Sequence, residues 1–318
     1  MPTLFEEQIR EQQAHIAKLV DGPAESFPEA LDYLPDVAKE APDLRRYLSL
    51  LEATPATPDA EPPEGSAHAR MMLAGIAERR GELTQAQQWL ASVDSPEQAL
   101  AVQTRLAQIL ARQGRLEEAR QSIRAAPERS PEDARLKLLA EAQLLRDHGQ
   151  PGQAYELLNG ALQQTPDEET LLYEAAMAAE RVGRFEVMER LLRRLIELKP
   201  GASHAYNALG YALADRNLRL PEARTLIEKA VQLSPNDAYI QDSLGWVQFR
   251  QGNLRQARQT LEAAFRKRPD AEIAAHLGEV LWILGEREAA LRVWREGQRL
   301  EADNETLRKT LLRLRVRL

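Results

Sequence analysis

Residues 238–269 read AYIQDSLGWVQFRQGNLRQARQTLEAAFRKRP, and this stretch decides the fold. Leu244, Gly245, Ala257, Leu261, Ala264 and Pro269 form its frame. The pattern predicts two amphipathic helices of roughly 14 residues, about 21 Å each, separated at Gly252. Glycine there can adopt the left-handed conformation that ends the first helix and turns the chain. Pro269 closes the second helix before another unit begins.

The same frame recurs along the chain. Pro96, Pro131, Pro166, Pro200, Pro235 and Pro269 follow one another at steps of 34 or 35 residues. Gly81, Gly114, Gly149, Gly183, Asn217, Gly252 and Gly285 run in phase with them. Asn217 replaces glycine with the next residue that visits the left-handed region. Pro151 and Pro221 fall just after their turns, where the first turn of a helix accepts proline. Gly210, Gly245 and Gly278 on first helices suit close approach, as do Ala86, Ala119, Ala154, Ala223, Ala257 and Ala290 on second helices. Four residues after each alanine, and at Leu192 in the remaining unit, stands a bulky residue: Leu90, Ile123, Leu158, Ile227, Leu261 or Trp294. A fixed period near 34 means one helical unit copied and stacked. Such arrays build long binding surfaces in preference to closed catalytic clefts.

The pattern resembles the tetratricopeptide repeat, W-x2-L-G-x2-Y, then A-x3-F, then P. The matches here are Tyr206-x2-Leu209-Gly210-x2-Leu213 and Gln241-x2-Leu244-Gly245-x2-Gln248, with degenerate aromatic positions. The resemblance implies an all-α, right-handed solenoid of about seven helix-turn-helix repeats. These begin near 67, 100, 135, 169, 203, 238 and 271 and span residues 67–302. Residues 303–318 read as a capping helix, with Leu307, Leu311, Leu314 and Leu318 on one stripe. Its basic residues, Arg308, Lys309, Arg313, Arg315 and Arg317, read as a solvated face.

Residues 1–66 differ in character. They hold 14 Asp and Glu against 5 Lys and Arg, and nine of the 18 prolines. Helices are expected at 4–20, 28–39 and 42–52, followed by a proline-rich linker over 54–66. This acidic front reads as a degenerate repeat pair, an N-terminal cap or a docking arm. The remaining residues carry 35 acidic and 37 basic side chains, so a dominant nucleic-acid footprint is not expected.

Chemistry-bearing motifs are not found. Without cysteine, thiolate metal sites, disulfides and cysteine nucleophiles are excluded. His15, His68, His148, His204 and His276 are isolated copies without metal-ligand spacing, and read as packing or solvent-exposed residues. No phosphate-binding glycine loop or nucleophile elbow occurs. The reading is a protein without catalytic residues, metal or cofactor. No apolar run reaches the ~18 residues of a membrane span, and MPTLFEEQIREQ at the start does not read as a signal peptide.

In the resembling family, positions 2, 5, 9 and 12 of the first helix line the concave wall. The fourth repeat then offers Thr170, Tyr173, Met177 and Glu180, and the fifth His204, Asn207, Tyr211 and Ala214. The sixth offers Tyr239, Asp242, Trp246 and Phe249, and the seventh Glu272, Ala275, Glu279 and Trp282. Six of the chain's 16 aromatics fall at these positions, beside polar groups that can hold a peptide backbone. The expected partner site is therefore Tyr173, Met177, His204, Asn207, Tyr211, Tyr239, Asp242, Trp246, Phe249 and Trp282. Trp246 and Tyr211 are expected to be exposed in the groove, Trp246 with solvent-quenchable fluorescence. Phe249 and Trp282 are balanced between the groove and inter-repeat packing. No lysine occupies position 5, so the paired-lysine clamp for chaperone C-termini is absent.

Residues 206–215 and 239–246 look like the C-terminal part of proteobacterial periplasmic tetratricopeptide lipoproteins. That group includes adaptors that bring substrates to a carboxyl-terminal processing protease. The resemblance implies an adaptor or scaffold with a protein or peptide in its groove and a protease partner. It also implies a periplasmic, outer-membrane-associated site, with a lipid anchor that this chain lacks; a cytoplasmic location is the alternative. The alternative function is a structural assembly factor that binds through its convex face or ends.

Overall fold

The computed structural model describes residues 66–318, and the expectations for the acidic front lie outside that range. All regular structure among the described residues is helical. In chain order the helices are α1 (Ser66–Arg79), α2 (Leu83–Ala91), α3 (Ala99–Arg112), α4 (Leu116–Ala125) and α5 (Pro131–Asp147). Next come α6 (Pro151–Gln164), α7 (Glu169–Arg181), α8 (Phe185–Leu198), α9 (Ser203–Asp215) and α10 (Leu220–Leu233). The last five are α11 (Ala238–Arg250), α12 (Leu254–Lys267), α13 (Ala271–Ile283), α14 (Arg287–Leu300) and α15 (Glu305–Leu314). The chain forms two compact units that divide between Ala154 and Tyr155. The array of helix-turn-helix repeats with a terminal helix is the one the sequence predicts.

The turns are made as the ladder implies. Gly252 has φ of 82° and Asn217 has 57°, both in the left-handed region. After Gly252, Asn253 N donates to Gln248 O at 2.9 Å, which satisfies a carbonyl at the end of α11. Five of the ladder prolines lie in the connections after second helices, but Pro131 is the first residue of α5. Ser130 and Asp133 form a reciprocal capping box there, so α5 starts four residues before the expected position.

In the first unit, α1 packs with α2 and α3 with α4. Leu73, Ala74, Ala86 and Leu90 are buried in the first pair, and Ala107, Ala119, Ile123 and Leu144 in the next layer. The carboxylate of Glu141 is buried on α5, where Arg120 Nε at 2.9 Å and Arg124 Nε at 2.8 Å donate to it. Burial opposes its charge, but the two guanidiniums win and hold its pKa below the usual carboxylate value. Glu141→Ala is expected to destabilise the chain by about 1.5–3 kcal/mol, the value of charged hydrogen bonds. Urea denaturation above pH 5 checks it, and an unchanged midpoint would count against a stabilising pair.

The second unit pairs α7 with α8, α9 with α10, α11 with α12 and α13 with α14. Each of the last three pairs is locked by a glycine facing a bulky residue. A Cβ at Gly210 would sit 2.6 Å from Ile227, at Gly245 2.5 Å from Leu261, and at Gly278 2.2 Å from Trp294. Alanine improves helix propensity by about 1 kcal/mol, yet overpacking costs about 1–3 kcal/mol or more. Contacts this short place Gly278→Ala at the high end of that cost. Its thermal midpoint is expected to fall, and a rise would show that propensity wins over packing.

The terminal helix α15 seats Leu307 at 2% exposure in the core of α13 and α14, with Leu311 and Leu314 against the same cluster. Leu318 does not extend this stripe. Arg315 adopts φ of 57° and ends the helix. Two basic residues of α15 are also engaged: Lys309 bonds Glu305 at 2.7 Å, and Arg313 bonds the buried Glu279 at 2.5 Å. Glu305 lies 3.6 Å from Arg181 at the end of α7, so α15 returns towards α7 within this unit.

Candidate functional site

First helices α7, α9, α11 and α13 present their inner faces to one cavity of about 200 Å³. Asp237 and Asp270 fix where two of them start. Asp237 accepts from the Tyr239 and Ile240 amides, and Asp270 from those of Glu272 and Ile273. This sets the register that brings Tyr239, Asp242 and Glu272 to the wall.

Six of the ten residues expected from the sequence line this cavity: Tyr173, Met177, Asn207, Tyr211, Tyr239 and Asp242. His204 stands beside it, exposed, with its ring 4.7 Å from that of Tyr173 in an edge-on arrangement. Trp246 departs from expectation. It is 4% exposed, with its ring stacked 4.2 Å from His276 and 5.1 Å from Phe249. The indole therefore supports the wall from behind, and its fluorescence should be shielded from aqueous quenchers. Phe249 and Trp282 are partly buried against the α13–α14 core, Trp282 lying 5.5 Å from Trp294. Both rings are engaged in helix packing, Trp282 with the second helix of its own repeat.

Behind the wall is a polar chain that the sequence reading treated as an isolated histidine. His276, 1% exposed, places Nδ1 2.8 Å from the Asp242 carboxylate and Nε2 3.4 Å from Tyr211 Oη. Tyr211 Oη in turn lies 3.2 Å from Glu272 Oε1. With Glu272 ionised and accepting the single phenol proton, Nε2 donates to Oη and Nδ1 to Asp242, and in that arrangement the imidazole is a cation. Burial opposes that charge, but Asp242, Glu272 and Asp215 outweigh it and raise the His276 pKa. Burial, followed by Glu272, Asp215 and Asp242, raises the Tyr211 pKa and keeps the phenol neutral.

Glu180, Ser243, Ala208 and Glu272 complete the lining; the two glutamates were expected on the inner wall but not among the partner-site residues, and Ser243 and Ala208 were not expected there. Glutamate at an inner position gives no sequence signal beyond its register. Burial, chiefly, raises the pKa of both Glu180 and Glu272. Arg216 approaches Glu180 to 3.6 Å, whereas no Lys or Arg among the described residues pairs with Glu272. No group of acidic and histidine side chains suited to a metal ion occurs among the described residues.

The fold defines a helical-repeat protein whose later first helices face one cavity. Family models described as tetratricopeptide repeat match residues 88–134 and 173–238, residues 212–280, and residues 271–296. The chain belongs to the tetratricopeptide-repeat family. A TPR repeat-containing protein of Pseudomonas aeruginosa is 39% identical over 211 residues, 66% of this chain and 36% of that protein. The chain thus matches only about a third of that relative's length. Among solved structures, a tetratricopeptide repeat protein from Parabacteroides merdae has a TM-score of 0.58 at 19% identity, covering 77% of this chain and 97% of that one. A thermophilic TPR protein of Thermus thermophilus has a TM-score of 0.50 at 21% identity, covering 56% and 98% respectively. Both show the shared fold.

Proposed function

We propose that the protein is a non-catalytic adaptor that holds a segment of a partner protein against the inner face of repeats four to seven. One observation carries this reading: Tyr173, Asn207, Tyr211, Tyr239 and Asp242, from three successive first helices, face the same cavity. Tyrosine provides stiff, amphipathic contact area that dominates many protein interfaces. Tyr239, 41% exposed, is the ring most open to a partner. The resemblance of repeats five and six to envelope adaptors supports the finer reading, delivery of bound substrates to a carboxyl-terminal processing protease in the periplasm.

Capture from a bacterial envelope extract tests both levels, using wild type and a Tyr173→Ala, Tyr239→Ala double variant that keeps its helical circular dichroism. The expected result is a set of partners lost from the variant, with a processing protease retained through another surface. Partners that bind both proteins equally would remove the groove from the function. Failure to recover a protease in either arm would remove the delivery step.

A further inference from the structure

The chemistry of the groove specifies its occupant more closely than a general peptide site. Its lining contains three tyrosines, two glutamates, Asp242 and Asn207, and none of its ten described residues is Lys or Arg. Asp242 bonds His276 directly, whereas the hydrogen bond that Glu272 accepts comes from a neutral phenol and the His276 charge reaches it only through space. Asn207 makes a separate demand: its Oδ1 is shielded from solvent and has no hydrogen-bond partner. An acceptor buried without a donor is unfavourable. The three carboxylates of the wall, Asp242, Glu272 and Glu180, also outnumber the cations set against them, His276 and Arg216, so the wall is short of donors with positive charge.

We infer that the groove anchors a lysine or arginine side chain of the partner segment, received by Glu272 and Glu180 beside the tyrosine rings and by Asn207 Oδ1. This rests on the proposed groove function and names its ligand class. An ammonium or guanidinium is a pure donor and complements an acceptor-only wall. The aromatic faces add attraction for a cation. A paired-lysine groove holds an acidic chain end; this wall has the opposite sign.

The test uses four pools of decapeptides with random uncharged flanks and a fixed central Lys, Arg, norleucine or Glu. Binding to the whole chain is read by fluorescence anisotropy, with wild type compared against the Glu180→Gln, Glu272→Gln double variant and against Tyr239→Ala. Wild type is expected to favour the Lys and Arg pools over norleucine by about tenfold, the scale of a well-desolvated charge pair. The glutamine variant should lose this preference and the salt dependence that goes with it. Equal affinity for the Lys, Arg and norleucine pools overturns the cationic anchor, yet leaves the groove standing if Tyr239→Ala weakens all pools alike. Absence of binding by every pool, or binding indifferent to Tyr239→Ala, overturns the groove reading itself. Because Glu180 also faces Arg216 and Glu272 accepts from Tyr211, the glutamine variant is compared at a temperature where its helical circular dichroism matches that of wild type, so that a lost preference reports binding and not unfolding.

Discussion

Trp294→Ala is expected to lower the unfolding free energy by about 3–5 kcal/mol, the range for a buried aromatic truncated to alanine. The indole has no exposure and ranks among the largest fully buried side chains of the described residues. Its ring lies over Gly278, its Nε1 donates to Ala275 O at 3.3 Å, and Trp282 packs 5.5 Å away. Removing it opens a cavity between α13 and α14 and under Leu307 of α15, which shares the same cluster. The neighbours cannot collapse into the space, because the glycine opposite has no side chain to move. Denaturant titration followed by circular dichroism gives the number. A loss under about 1 kcal/mol would mean that α13, α14 and α15 repack freely. Restoring bulk opposite, with Gly278→Leu added to Trp294→Ala, should recover part of the loss.

The second large effect is at Asp242. Replacing it with alanine leaves His276 buried without the carboxylate that keeps it charged, and breaking a buried pair costs about 3–5 kcal/mol. Asp242→Asn retains an acceptor and should cost less. The pH dependence identifies the cause. The His276 pKa is raised in the folded chain from an ordinary 6.5. Its stabilising contribution is therefore complete below about pH 6.5 and disappears as the pH rises through the folded value. The gap between wild type and Asp242→Ala should be widest near and below pH 6.5 and narrow in alkali. A gap independent of pH would show that packing, and not the histidine charge, sets the cost.

The repeat frame was legible because its positions demand particular residue types. A left-handed turn selects Gly252 or Asn217, and a close approach selects Gly278. Those demands are local, so one repeat read alone reveals them. The inner wall was half legible for the same reason: the register of a helix places Tyr173, Asn207, Tyr211 and Asp242 on one face. The fate of each side chain on that face was not legible. Tyr211 and Trp246 occupy equivalent positions, yet one reaches the cavity and the other is shielded. The difference is made by His276, which stacks on Trp246 from the next repeat's first helix. That meeting depends on how α11 and α13 pack, and no single repeat encodes it. Glu272 was placed on the inner wall but left out of the expected partner site, because a glutamate near a helix start ordinarily reads as a solvated, dipole-favoured residue. Its burial comes from Tyr211, 61 positions earlier.

The reach of that last bond sets a rule for how this array could lengthen. The glycine and its bulky counterpart belong to one helix pair, so a duplicated pair carries its own lock and would fold wherever it were inserted. The hydrogen bond from Tyr211 to Glu272 instead joins the fifth pair to the seventh. An extra unit between them would satisfy every local rule and still draw the phenol away from its acceptor. Duplication can therefore extend the chain before the fourth pair without consequence for the groove, while the run from Tyr173 to Glu272 is closed to insertion. Between the fifth and seventh pairs the copy number is held by this one bond, and not by the local rules of folding.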